Sequence, residues 1–364
     1  MGSEETSIVI ERWPDLPEGI NRGISARVGD TLFVGLGSAG ASLYALDLSD
    51  ASRQWAIQAS FPGPAPSGAA CAASGGRLFV FGGVGKTTPD AATPIVFDAV
   101  HAYDATADVW AEIDARTPCG LLGAKAATLV DGRIVFFGGY NKQVFEGFVA
   151  GLSVLERAGD IEGAARFTRS FLDRAPEDYR WNAEVLCYDP AANVWSSLGA
   201  SPCLPNCDAA LVETATDKLI LASGEIKPGL RTPEVKAVAV AGAVASWQQL
   251  APLPTPPSEA VQEGVAGAFA GTLGEKVIVA GGTNFVGAWA NAANGKWYAH
   301  EGLTKGWRTE IYALGEGGWS IAGQLPEGLG YGASFSLAEG VLLVGGEDGQ
   351  GASRAEVFCL RPRA

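Results

Sequence analysis

Glu225 and Arg231 lie six residues apart in ASGEIKPGLRT (222–232), on either side of Pro228-Gly229. Proline followed by glycine is a turn signal, so the chain folds back between the acid and the arginine. A carboxylate can move protons, and a guanidinium fork can hold another carboxylate in bidentate fashion. Together they would form a small acid/base site for an anionic substrate; on an exposed turn the same side chains would simply be solvated. Burial separates the two readings, because neighbouring charges tune a carboxylate only where water is excluded. His300, beside Tyr298 and Glu301 in WYAHEGL, forms a second loop cluster with side chains suited to proton transfer.

The elements that must position these residues repeat. Apolar runs end in paired glycines at LFVFGG (78–83), IVFFGG (134–139), VIVAGG (277–282) and VLLVGG (341–346), with LFVGLG (32–37) and LILASG (219–224) as variants. A second β-rich run follows each, and Trp55, Trp110, Trp195, Trp247 and Trp319 then close five of the six units. The sixth unit runs out of chain at Ala364, and Trp13, in SIVIERW, supplies the missing piece from the other end. Repeats of this kind, near the kelch period of ~50 residues, predict radial sheets around an axis. The expected fold is therefore all-β: one six-bladed kelch-type β-propeller over 1–364, closed by the N-terminal strand.

Two intervals are too long for the repeat. Residues 141–182 carry Leu152, Leu155, Ile161, Ala165, Phe167, Phe171 and Leu172 at helical spacing with charges between them, which predicts a helical insertion in the third blade ending near Pro176. Residues 284–308 form a loop insertion rich in Asn, Trp and Tyr. Both follow a Gly-Gly, so both should emerge on one face of the disc, where function usually sits on a rigid scaffold.

Composition narrows the function. A formal net charge of −14 argues against nucleic acid and anionic membranes as partners. No apolar stretch reaches the ~20 residues of a membrane span. The N-terminus shows no signal peptide, so the chain as it stands reads as cytoplasmic, and as periplasmic if a leader has been removed. The six cysteines lack the density of a disulfide scaffold and lean towards a reducing compartment; Cys203 and Cys207 have no second pair for zinc. GGVGKTT (82–88) has Val80 where a phosphate-binding loop needs its first glycine, leaving Lys86 as a candidate for the central cavity. With only His101 and His300, a two-histidine copper site has little support.

With these residues in view, the chain resembles the sialic acid mutarotases (N-acetylneuraminate epimerases), which are six-bladed kelch propellers. The resemblance rests on GLGSAG (35–40), FGGVGK (81–86), PEDY (176–179), GEIKPGLRT (224–232), GVAGAFAG (264–271) and YAHEGL (298–303). It implies interconversion of the α and β anomers of N-acetylneuraminic acid, with Glu225 as catalytic base and Arg231 holding the sugar's carboxylate. No metal, nucleotide or redox cofactor is implied. Lys86, Asn284, Tyr298, His300, Glu301 and Arg308 are the substrate-binding candidates, the acid partner being sought among His300, Glu301, Tyr298 and a water. Asn284 lies in GGTNF (281–285), which departs from the family's GGAGF-like segment. The rival readings are a non-catalytic sugar-binding propeller and a kelch protein-interaction module. The oligomeric state stays open, a homo-oligomer included.

Overall fold

The computed structural model describes residues 8–363. The first seven residues, on which the leader reading rests, lie outside them. Six four-stranded antiparallel sheets are arranged as the blades of a propeller. The sixth is completed by Ile8–Trp13, which pairs antiparallel with Ser353–Pro362 and so joins the two ends of the chain. That closure leaves the ring without an unpaired blade.

The strand that ends at each Gly-Gly is second from the axis. An innermost strand precedes it in every blade: Ile24–Val28, Ala70–Ser74, Lys125–Thr128, Ala210–Ala215, Phe269–Leu273 and Ala333–Leu337. These strands carry many alanines and serines, because six of them crowd one axis. The tryptophans stand at the outer strands and reach towards neighbouring blades, with the Trp110 indole donating to the Ala59 carbonyl at 2.8 Å and Trp319 to Ala251 at 2.9 Å. Between the blades the core is correspondingly divided into six clusters, one at each seam, with two smaller ones under the insertions. At the seam of blades six and one, Trp13, Leu32, Leu342 and Val357 are packed together.

At the axis each innermost strand is preceded by a residue of left-handed backbone: Arg22, Gly68, Gly123, Asp208, Gly267 and Tyr331, with φ between 50° and 71°. Their peptide groups close a ring. Gly68 N–H donates to Arg22, Gly123 to Gly68, Asp208 to Gly123, Gly267 to Asp208, Tyr331 to Gly267 and Arg22 back to Tyr331, all at 2.7–2.9 Å. Six backbone hydrogen bonds thus tie the six blades at one face of the disc.

The chain between Gly-Gly and the third strand emerges on that same face. In blade three it holds helices Lys142–Arg157 and Ile161–Leu172 and a short 3₁₀ turn, Pro176–Tyr179. Phe171, Tyr179 and Trp181 form the core beneath the helices, whereas Ile161 and Ala165 of the predicted apolar stripe are exposed. In blade five, the ribbon of Thr283–Phe285 with Lys305–Trp307 frames a short helix, Ala288–Ala293. In blade four the segment is a tight hairpin, Glu225–Lys227 with Leu230–Arg231. Among the described residues no helix is long and apolar enough to cross a membrane.

Candidate active site at the hub

The blade-four hairpin is shaped by its sequence. Pro228 followed by Gly229 at φ +84° matches a type II turn, whose third position needs positive φ. Ser223 replaces the first glycine of the usual pair at φ +60°, and its hydroxyl accepts from Val265 N–H (2.6 Å) and bonds the Thr232 carbonyl (2.6 Å). The base of the hairpin is thereby pinned to blade five. Glu225 also pairs by backbone with Cys207, next to the hub residue Asp208.

Glu225 and Arg231 meet across this hairpin. Arg231 Nη2 lies 3.2 Å from Glu225 Oε1, and the side chains are 5% and 10% exposed. Two more donors complete the carboxylate's surroundings: Gly229 N–H to Oε1 at 2.9 Å, and the Tyr140 hydroxyl to Oε2 at 2.7 Å. Tyr140 follows Gly138-Gly139 of blade three just as Glu225 follows Ser223-Gly224 of blade four. Burial, with Glu225 beside it, pushes the Tyr140 phenol well above its usual range, so it remains a proton-bearing donor.

Tyr140 also forms part of the wall of a 230 Å³ cavity at the hub, which Arg22, Lys125, Asp208 and Tyr331 share. A second cavity, of 440 Å³, adjoins it along the axis between the innermost strands. Asp208 is the notable titratable group here. Burial raises its carboxyl above the ordinary range, with Glu225 acting in the same direction and Lys125, Arg22 and Arg231 opposing. Two carboxyl groups therefore stand at the hub, Glu225 met by three donors and Asp208 in the wall of the cavity.

The Arg231 guanidinium faces Glu225, and its carbon lies 4.8 Å from the centre of the Phe285 ring. Nε and Nη1 are buried without hydrogen-bond partners, and the side chain does not line the hub cavity. Lys227 is fully buried and donates to the carbonyls of Leu172 (2.8 Å), Arg174 (2.5 Å) and Trp297. It fastens the hairpin to both insertions, while burial pulls its ammonium down to about 8.

The remaining expectations are placed differently. Lys86 is exposed, beyond the short ribbon of Val84–Gly85 with Ile95–Val96, and does not reach the hub cavity. Arg308 is taken up by Glu259 (2.6 Å) and Glu310 (2.7 Å), so neither cation adds to an anion site. Glu301 is exposed and pairs with Arg169 of the second helix, joining the two insertions at the surface. Asn284 is buried, donating to the Gly264 carbonyl at 3.0 Å with its own oxygen unpartnered. His300 packs between Phe285 and Tyr298, with ring centres 4.8 and 4.9 Å away. Tyr140, Arg22, Asp208 and Tyr331 have no place among the sequence candidates, although Tyr140 could have been found by aligning the residues after each Gly-Gly. Among the described residues no cluster of three or more His, Cys, Asp or Glu is placed to hold a metal ion.

Two expected outcomes follow from the packing of His300. A Cβ on Gly229 would fall 1.6 Å from His300 Nδ1, at a backbone angle that side chains rarely adopt. Gly229→Ala should cost about 1–3 kcal/mol from backbone strain alone and displace His300, measured as a lowered denaturant midpoint. Burial, then Arg231 and Lys227, hold the His300 imidazole below 6.5, against the pull of Glu225. A depressed histidine means that the unfolded chain binds the extra proton first. Its contribution is therefore complete above 6.5 and is lost as the pH falls through the lower folded value. Denaturant midpoints of wild type should decline over that acidic window, and the decline should be shallower in His300→Asn.

Fold and site together define a six-bladed β-propeller with a cavity at its hub beside a buried glutamate–arginine pair. The family description of N-acetylneuraminate epimerase matches residues 13–363, so this chain belongs to that family. An N-acetylneuraminate epimerase of Brucella melitensis is 52% identical over 351 residues, covering 96% of this chain and 90% of the relative. One of Vibrio cholerae is 46% identical, covering 92% and 87%. A solved structure described as that of YjhT superposes with a TM-score of 0.86 at 35% identity, covering 95% of both chains.

Proposed function

We propose that this protein is an isomerase that interconverts the α and β anomers of N-acetylneuraminic acid at the hub pocket. The relatives' names support the substrate, and the observation that carries the chemistry is the Glu225 carboxylate held by three donors beside the cavity.

Mutarotation opens the sugar's hemiketal. A base removes the anomeric hydroxyl proton, the bond from the anomeric carbon to the ring oxygen breaks, and an acid protonates that oxygen. Rotation then presents the other face of the ketone, and the same steps in reverse close the ring. Glu225 is the base. Tyr140 lines the cavity and donates to Glu225, so its hydroxyl relays the proton, releasing its own to Oε2 as it takes the sugar's. Asp208, whose carboxyl is kept protonated to higher pH by burial, is placed in the same cavity to supply the ring oxygen. Its proton returns when the ring recloses, so the cycle is balanced without a co-reactant. Acid/base help of this kind contributes ~10²–10⁴-fold. Six unpaired thiols support a reducing compartment such as the cytoplasm.

The test is NMR of freshly dissolved N-acetylneuraminic acid, following α-to-β conversion with and without protein. Faster conversion supports the proposal. Tight binding without acceleration would make the protein a sugar-binding module instead.

A further inference from the structure

Resting on that reading, we infer that the substrate's carboxylate is held by Arg22, across the hub from the acid/base pair, while Arg231 serves Glu225. Arg231 turns one nitrogen to Glu225, its other two are buried, and it has no place in the wall of the hub cavity. Arg22 lines the cavity, and its side chain is 38% exposed.

The charges around the hub point the same way. Among the described residues four cations, Arg22, Lys125, Arg231 and Lys305, stand near three carboxylates, Asp208, Glu225 and Glu347. Arg231 pairs with Glu225 at 3.2 Å and Lys305 with Glu347 at 2.8 Å. Arg22 and Lys125 then share Asp208, with Glu347 no nearer to Arg22 than 3.8 Å, so one positive charge is in surplus, and two while Asp208 carries its proton. Of the two, Arg22 has the planar fork suited to a carboxylate, and its guanidinium carbon lies over the Tyr331 ring, 3.7 Å from the ring centre.

The backbone adds an independent reason. Three of the six hub-ring positions are glycine, the residue that left-handed φ favours, yet position 22 keeps an arginine at φ 50°. Asp208 is the third ring residue on from Arg22 and therefore faces it across the axis. A carboxylate on Arg22 leaves the adjacent anomeric carbon towards Asp208 and Tyr140.

The experiment compares N-acetylneuraminic acid with its methyl ester, which has the same ring and no anion, in wild type, Arg22→Gly and Arg22→Lys. Wild type should prefer the acid. Arg22→Gly should raise KM for the acid by about 10–100-fold, affect the ester far less, and hold its melting temperature because glycine suits the position. Arg22→Lys should keep part of the preference. An unchanged acid-to-ester ratio in Arg22→Gly, or no preference in wild type, overturns the inference. A lowered melting temperature with that ratio intact would assign Arg22 a structural role. Failure of wild type to accelerate either sugar would instead count against the proposed function.

Discussion

Glu225→Gln should lower kcat for anomer interconversion by about 10²–10⁴-fold while the propeller stays folded. The substitution keeps the side chain's size and one acceptor oxygen, so the donors at Oε1 or Oε2 retain part of their pairing. On the proposed mechanism it removes the proton acceptor, and with it the destination of the proton that Tyr140 passes on. Because the loss lies in the chemical step, KM should change much less than kcat. Rates from NMR line exchange between the anomers, together with an unchanged circular dichroism spectrum, would measure both halves of this expectation. Full turnover in the variant would remove Glu225 from the mechanism.

Arg231→Ala should be the most damaging single change to stability at the site, by about 3–5 kcal/mol, because it leaves a buried carboxylate without its counter-charge. Turnover should fall as well, since Glu225 would lose one of the two groups that hold Oε1. The double variant Glu225→Gln, Arg231→Ala removes the stranded charge and should recover much of the stability, though not the activity. Denaturant midpoints of the two single variants and the double variant form a cycle that isolates the pair. Additive losses would mean that the two side chains are not coupled.

The parts of this molecule legible in its sequence are those fixed locally. Gly-Gly corners and tryptophans recur because every blade needs the same turn and seam, so six blades and the closing N-terminal strand could be counted. The innermost strands could not, since runs such as AACAAS and KAAT are small-residue strands with little β-propensity, selected by crowding at the axis. Glu225 and Arg231 were visible because one tight turn brings them together. Arg22, Asp208 and Tyr331 come from three different blades and meet only through the hub ring, which no spacing records, whereas Tyr140 sits at a repeat position, after the Gly-Gly of blade three.

The misplaced cations have equally physical reasons. Arg308 and Glu310 lie two apart in an extended stretch and therefore share a face, which satisfies the arginine locally. Lys86 follows a Gly-Gly by three residues, but the short ribbon there carries it out to solvent. His300, the loop candidate, is packed over Gly229 in the hairpin that carries Glu225.

The most direct test is a crystal structure of the Glu225→Gln protein with N-acetylneuraminic acid bound. The expected result places the sugar in the hub cavity, its anomeric hydroxyl within hydrogen-bond reach of Tyr140 or residue 225. Density for the sugar on the opposite face of the disc, or against the outer loops with the hub empty, would contradict it.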